Sequence, residues 1–488
     1  MSRQTRREFL EKSMFAAAAA AAAGPAASAA FGQEKQSSSP NERLRVAVVG
    51  ARARGRGQAH LNAYMGRRDC EVVAVVDVDE TAGQKDGVEK VEKATQKKPA
   101  FYTDLRKALE DKNIDAVSIA TPNHQHALQA IWSIQAGKDV YCEKPVSHNV
   151  SEGRRIVQAA RKHDKIVQTG TQSRSFGGVQ EAIKFMQDGN LGKVAIARAL
   201  CYKPRASIGP RGTYDVPAGV DYDLWTGPAP MLPLTRKQFH YDWHWQWPYG
   251  NGDLGNQGIH QMDIARWGLG VNDIGKSVVS YGGRVGYEDA GDTANTQVSI
   301  HEFDDDKRLV FEVRGLKTGK LRDITIGVIF YCSDGVLVVD NNVGGAAFDH
   351  DGNVVKKFSQ DGDHFGNFVE AVKMRDRNHL FADIEQGHLS SALCHLGNIS
   401  YRLGETTNAK GVEEKLQGDK EALATFERFA GHLGDNGIDL QASNLHFGKT
   451  LMIDGKAETF TGGDVDQATA MLTREYREPF VVPEEKNV

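Results

Sequence analysis

The stretch from Leu44 to Asp77 constrains this chain more than any other, because it runs β-branched strand, glycine-rich turn, helix, strand and acid in one uninterrupted order. The run Leu44 to Val49 leads into Gly50-Ala51-Arg52-Ala53-Arg54-Gly55-Arg56-Gly57. A helical pattern from Gln58 to Met65 follows, and a second apolar run, Val72 to Val76, ends at Asp77. A βαβ unit that holds a dinucleotide needs this order. The turn and the helix N-terminus aim backbone N–H groups at the pyrophosphate, and the acid takes the ribose hydroxyls. Gly50 and Gly55 stand as first and third glycines of the fingerprint, with Asp77 22 residues after Gly55. Arg52 replaces the middle glycine, so close backbone approach cannot rest on a missing side chain there; Arg52, Arg54 and Arg56 offer positive charge to the phosphates instead. Asp77 repels a 2′-phosphate, which favours NAD, while a nearby arginine can reverse that preference and leaves NADP open.

The alternation continues through a helix around Glu80 to Thr95, a strand and helix around Phe101 to Leu109, and a buried strand Asp115 to Ala120. A helix Ala127 to Gln135, a strand Asp139 to Tyr141, a helix near Val150 to Lys162 and a strand Ile166 to Thr169 complete a parallel sheet of about six strands. Two polar clusters fall just beyond strand ends, where such sheets bind ligands: Thr121-Pro122-Asn123-His124-Gln125-His126 and Cys142-Glu143-Lys144-Pro145. Hydrophobic residues make up 40% of the 488, which supports one or two real cores. The 60 basic and 64 acidic residues are well mixed, so no one-sign field is available to hold nucleic acid.

The Rossmann start, Ala120-Thr121-Pro122-Asn123-His124 and Glu143-Lys144-Pro145, in that order and spacing, resemble the Gfo/Idh/MocA oxidoreductases, the family of glucose-fructose oxidoreductase and inositol dehydrogenase. The resemblance covers about residues 43 to 405. It implies an α/β protein with an N-terminal Rossmann parallel sheet over 43–170 and, over 171–405, a C-terminal α/β domain with a largely antiparallel open sheet. The open face of that sheet forms the substrate site and often an oligomer contact, so a homo-oligomer is expected. The resemblance further implies cofactor contacts for Thr121, Pro122, Asn123, His124 and Glu143. It puts Lys144 between nicotinamide and substrate, in contact with the cofactor and in a catalytic role.

Farther along, Tyr241-Asp242-Trp243-His244-Trp245-Gln246-Trp247 places three of the six tryptophans in five residues, beside the glycine-rich stretch Gly250 to Gly258. Alternating tryptophans fit a strand with one face on a core. They fit a carbohydrate site as well, in which Trp243, Trp245 and Trp247 pack on the C–H faces of a sugar and Asp253 and Asp263 bond its hydroxyls. Ile259 to Trp267 reads as a helix with His260 and Asp263 on one face. It is similar to the family helix that carries the catalytic histidine, which makes His260 the general base. Four residues earlier, where sugar and inositol dehydrogenases of the family usually place an aspartate, stands Asn256, also assigned to the catalytic group. An amide can orient a hydroxyl but cannot hold a proton. Arg198, Lys203 and Arg205 alternate in what reads as a strand, and either line the cleft or face water. His388 and His395, in a helix from about Glu385 to Arg402, fit structural contacts.

At the N-terminus, Thr5-Arg6-Arg7-Glu8-Phe9-Leu10, the apolar run Met14 to Ala23, Gly24-Pro25 and Ala27-Ser28-Ala29 resemble a Tat export signal. Passage through the Tat export machinery and removal of residues 1–29 are expected, leaving a linker over 30–42 and a periplasmic or extracytoplasmic protein. That route carries folded chains, which suits a cofactor that is inserted before export and stays tightly bound. Cys70, Cys142, Cys201, Cys332 and Cys394 form no disulfide framework and no CxxC pair, and no histidine spacing marks a metal site. Residues 406–488 read as an extension with no assigned role. These parts predict an exported NAD(P)-dependent oxidoreductase that acts on a sugar or glycoside, with hydride transfer between a ring carbinol and bound nicotinamide. Two other outcomes stay open. One is net glycoside hydrolysis by oxidation at C3, elimination, addition of water and reduction, as the exported NAD-dependent N-acetylgalactosaminidases of this fold superfamily imply. The other is a non-catalytic glycan-binding protein that kept the fold.

Overall fold

The computed structural model describes residues 43–488 apart from Arg54, Asn342, Ser443 and Asp464. The expected export signal over 1–29, the linker over 30–42 and the phosphate role of Arg54 lie outside the described residues.

Continuous apolar runs form the first sheet, because parallel strands covered on both faces leave no side for polar residues. Strand β1 (Leu44–Val49) is followed by helix α1 (Gly57–Met65), β2 (Cys70–Val76), β3 (Ala100–Tyr102), β4 (Ala116–Ile119), α2 (Asn123–Gln135), β5 (Asp139–Cys142), α3 (Val150–Lys162) and β6 (Val167–Thr169). The six strands are parallel in the order β3-β2-β1-β4-β5-β6. The winding reverses between β1 and β4, which opens a crevice at their carboxyl ends. Helix α2 begins at Asn123 rather than at the expected Ala127. Pro122 is extended and ends the turn, so Asn123 and His124 belong to the first helical turn instead of the preceding loop.

The second sheet has twelve strands. Its central strand β7 (Val194–Tyr202) runs parallel to the strand Arg308–Arg314, and the sheet's other pairs are antiparallel. After β7 come helix α4 (Gly258–Leu269) and strands β8 (Ser277–Gly283), β9 (Thr296–Glu302), β10 (Arg308–Arg314), β11 (Ile326–Cys332), β12 (Gly335–Asp340), β13 (Gly344–Phe348) and β14 (Val354–Ser359). Helix α5 (Ile384–Arg402) and α4 cover one face, where Ala197, Ala199 and Cys201 of β7 meet Ile259, Met262 and Leu393 in one core.

The remaining chain corrects the expectation of an appended tail. Strand β15 (Glu405–Thr407), helix α6 (Lys420–Asp435) and strands β16 (Leu445–Phe447), β17 (Leu451–Asp454) and β18 (Thr459–Thr461) belong to this same domain. β16 and β17 extend the sheet beside β8. Helix α6 buries Phe426, Phe429 and Leu433 against Tyr281, Val298 and Val310, so the face expected to be open is covered over β8 to β10. The last residues then return to the first sheet, where Phe480, Val482 and Val488 join its core. The Phe480 ring lies 6.2 Å from Trp132, with the guanidinium groups of Arg106 and Arg477 at 5.2 and 4.7 Å. A Phe480→Ala substitution leaves a cavity there and is expected to lower unfolding stability by about 3–5 kcal/mol, measured by urea denaturation. A loss under about 1 kcal/mol would mean that the tail only rests on the core.

Candidate active site

The turn after β1 is shaped by contacts that exclude a Cβ. Gly50 has φ +85° and lies against the backbone of β4, where a Cβ would come 2.9 Å from the Ala120 oxygen. A Cβ on Gly57 would meet the Gly50 oxygen at 1.7 Å, whereas one on the exposed Gly55 would stand 3.0 Å from the Arg52 oxygen. The glycine that brings the helix onto the turn is therefore Gly57, not Gly55 as the fingerprint suggested. Arg52 is exposed at the turn. Asp77 accepts hydrogen bonds from the backbone N–H groups of Ala51 at 2.8 Å and Asp79 at 3.0 Å, and burial pushes its carboxyl up to about 6. A turn with no room for Cβ atoms, at the point where the winding reverses and with an acid at the end of β2, fits a dinucleotide.

Glu143 follows β5 and is buried. Its Oε1 accepts from Arg56 at 2.9 Å, His60 Nε2 at 3.2 Å and Gln172 at 3.1 Å. Burial alone would raise this carboxyl, yet Arg56 and His60 hold it well below the usual range. Arg56 thus pairs directly with Glu143. The next residue, Lys144, reaches into the second domain and donates from Nζ to the backbone oxygen of Asn256 at 2.8 Å and to its Oδ1 at 3.4 Å. Burial lowers the Lys144 ammonium to about 8, with the positive charges of Arg56 and Lys203 adding to the effect and Glu143 and Asp253 opposing it. His260 stands on the first turn of α4. Burial, with the Lys144 charge next in size, lowers it to about 3, so its imidazole is neutral at neutral pH. Of the expected trio, Lys144 and Asn256 are joined by these bonds, and His260 follows Asn256 by four residues at the start of α4.

Strand parity settles the basic residues of β7. Ala197, Ala199 and Cys201 face α4, and the backbone N–H groups of Lys203 and Arg205 continue the pairing beyond the strand to the oxygens of Arg314 and Gly315 at 3.1 and 2.8 Å. Lys203 and Arg205 therefore share the α4 side and point to the cleft. Arg205 holds buried Asp253 in a two-pronged pair at 2.9 and 2.6 Å, and Lys203 donates to Gln257 Oε1 at 3.4 Å. Arg198, of opposite parity, is buried on the far face with Glu312, Glu421 and Thr425.

Several expected ligand contacts are spent elsewhere. Asp263 binds Arg174 at 2.7 and 2.9 Å and accepts from Ser390, so it forms a buried ion pair and not a sugar contact. The tryptophan segment is a 3-10 turn over Asp242–Trp245, not a strand. Trp243 packs among Trp225, Phe239 and Tyr249, and Trp245 against Ile208 and Ala290; both are buried and offer no open face to a sugar. Trp247 is half-buried, with the Arg402 guanidinium 5.0 Å from its ring. His124, expected at the nicotinamide, is wholly buried with Nε2 2.9 Å from the Trp225 oxygen. Asn123 donates to Asn251 Oδ1 at 3.2 Å, and Thr121 to Gln129 at 2.8 Å, while Pro122 stays half-buried at the crevice. The sequence reading passed over His60, His244 and Gln257. His60 lies one turn into α1 from the glycines, and burial lowers the His244 ring to about 3, against the hydrogen bond to the Tyr241 oxygen and with the Lys144 charge adding to the effect. Among the described residues no group of three His, Cys, Asp or Glu side chains converges as metal ligands.

Two family models match the chain. The oxidoreductase family's NAD-binding Rossmann fold covers residues 44–171, and the C-terminal alpha/beta domain of the same Gfo/Idh/MocA family covers 205–431. Among curated proteins, levoglucosan dehydrogenase of Pseudarthrobacter phenanthrenivorans is 30% identical over 179 residues, 36% of this chain and 39% of that protein. Myo-inositol 2-dehydrogenase of Thermotoga maritima is 30% identical over 169 residues, 33% of this chain and 46% of that protein. The chain thus spans less than half the length of these relatives. A structure of levoglucosan dehydrogenase in complex with NADH and levoglucosan shares the fold at TM-score 0.55 and 17% identity, over 72% of this chain and 96% of that one. The WlbA dehydrogenase of Bordetella pertussis, in complex with NADH and UDP-GlcNAcA, does so at TM-score 0.54 and 18% identity, over 73% and 96%.

The glycine geometry ranks two substitutions. Gly57→Ala is expected to weaken dinucleotide binding by at least about tenfold, since about 1.4 kcal/mol of turn distortion suffices for that. Gly55→Ala is expected to cost several-fold less. Titration of each variant with NAD, followed by protein fluorescence, checks the order, and equal losses would return the third-glycine role to Gly55.

Proposed function

We propose, on the premise that this chain belongs to the Gfo/Idh/MocA oxidoreductase family, that it is an exported NAD-dependent enzyme that transfers hydride between a ring carbinol of a sugar or glycoside and a tightly held nicotinamide dinucleotide. The observation that carries this reading is the meeting of Lys144, Asn256 and His260 beyond the carboxyl end of β5. The printed names of the relatives, dehydrogenases of levoglucosan and myo-inositol, support a sugar or polyol as substrate. Export rests on the twin-arginine pattern Arg6-Arg7 and the apolar run after it.

When bound, the nicotinamide supplies the hydride acceptor. Gly50, Gly57 and Asp77 shape the cradle for the dinucleotide. Lys144 carries its proton below about 8 and donates a hydrogen bond to the carbinol oxygen, where it stabilises negative charge as the carbonyl forms. Asn256 fixes the direction of that ammonium by accepting from it with two oxygens. His260 is neutral and so has a free lone pair to accept the hydroxyl proton. Asn256 in place of a carboxylate also supports a second reading, net glycoside hydrolysis through transient oxidation. Release of nitrophenol from a nitrophenyl glycoside, with no net change in nicotinamide absorbance, distinguishes it from net oxidation.

Protonated Lys144 is the working form, so kcat/KM is expected to be level at neutral pH and to fall as pH rises through about 8. The test is nicotinamide reduction at saturating NAD with a panel of methyl glycosides across pH 6 to 10. A rise through the same range would assign Lys144 the base role instead. Lys144→Ala is expected to lower kcat by about 10²–10⁴-fold while NAD binding persists.

A further inference from the structure

We propose that the substrate of this cleft carries a carboxylate, as in a hexuronic acid or its glycoside, and that Lys203 is the residue that recognises it. The inference rests on the reading of this cleft as a sugar site and adds the class of sugar.

Charge accounting around the trio leads there. Four cationic side chains approach the cleft: Arg56, Lys144, Lys203 and Arg205. The two nearby carboxylates are committed, Glu143 to Arg56 at 2.9 Å and Asp253 to Arg205 at 2.6 Å. Among the described residues Lys144 and Lys203 form no ion pair. Their partners are neutral oxygens on consecutive residues, Asn256 for Lys144 and the Oε1 of Gln257, 3.4 Å from Lys203 Nζ. The two ammonium groups converge, since the residues they bond, Asn256 and Gln257, are adjacent in the chain. His244 and His260, both lowered to about 3 by burial, are neutral and add no charge there. The half-buried ammonium groups of Lys144 and Lys203 repel one another, and the carboxylates that act on Lys144, Glu143 and Asp253, each already hold an arginine as direct partner. A ligand carboxylate beside Lys203 removes that repulsion. The Lys144 ammonium is already engaged by Asn256 and is left for the carbinol oxygen. Lys203 lies on a rigid strand extension, its backbone N–H bonded to the Arg314 oxygen at 3.1 Å, so it can hold a carboxylate at a fixed offset from the reacting carbon.

The test uses the full chain saturated with NAD and matched pairs of methyl hexuronides and methyl hexosides of gluco, galacto and manno configuration. Nicotinamide reduction gives kcat/KM, and calorimetric titration gives affinity. At least one hexuronide is expected to exceed its hexoside by about 10- to 100-fold, the worth of a charge-assisted hydrogen bond. Lys203→Met is expected to collapse that ratio, and Lys203→Arg to keep most of it. In Lys203→Met the alkaline limb of the pH profile moves upward, because a positive neighbour of Lys144 is gone. NAD affinity of each variant reports folding. Hexosides oxidised as well as hexuronides, or a ratio unchanged in Lys203→Met, would overturn the inference and leave the oxidoreductase reading intact. Hexuronide binding that depends on Lys203 but yields no nicotinamide reduction would uphold the inference and overturn that reading. Neither binding nor reduction would overturn both.

Discussion

A single buried carboxylate holds the two halves of the nucleotide site in register. A charge taken out of water is tolerable only when paired and hydrogen-bonded, and Glu143 meets that condition with Arg56, His60, Gln172 and the Lys144 backbone N–H at 3.3 Å. Each partner lies on a different segment: the glycine turn, helix α1, the turn after β6 and the strand end itself. His60 passes the constraint on through Ser118 at 2.9 Å to Tyr64 at 3.1 Å, deep under the sheet. The chain after β6 fits only because Gly170 has no Cβ, which would come 2.8 Å from the Glu143 oxygen. The glycine turn and the Lys144 backbone are therefore tied to one carboxylate.

The first domain was legible because its physics is local. Buried parallel strands make unbroken apolar runs, each stopped by turn chemistry, and β1 and α3 begin and end on the residues read from the sequence. The second domain hides its strands behind buried polar residues whose partners are distant. In β9, Gln297 binds Ser280 at 3.0 Å and Asn398 at 3.5 Å, contacts that no periodicity announces. The tryptophan segment misled for the opposite reason. Its alternation mimics a strand, but local turns close it, with the Trp243 and His244 rings stacked 3.7 Å apart.

Parity and helix geometry explain the other misplacements. Arg198 differs from Lys203 and Arg205 by an odd number of positions, so an extended chain must send it to the opposite face. That face is covered by α6, and the guanidinium there neutralises Glu312 beneath the helix. His260 and Asp263 sit three apart on α4 and so are neighbours along the helix, but their side chains take different partners. One turns to the cleft, and the other finds Arg174 and Ser390.

The exchange of acid for amide at position 256 then has a definite electrostatic meaning. A carboxylate at that position would favour the charged ammonium, as Glu143 and Asp253 do from their own sides. Asn256 supplies two oxygens at 2.8 and 3.4 Å and so directs the group without adding charge. Burial, with the neighbouring Arg56 and Lys203, outweighs Glu143 and Asp253, and the ammonium comes down to about 8. The lysine is thereby kept oriented yet close to the point at which it gives up its proton. The cleft is left with net positive charge, which an anionic ligand can meet. The amide thus moves charge compensation from the protein to whatever occupies the cleft.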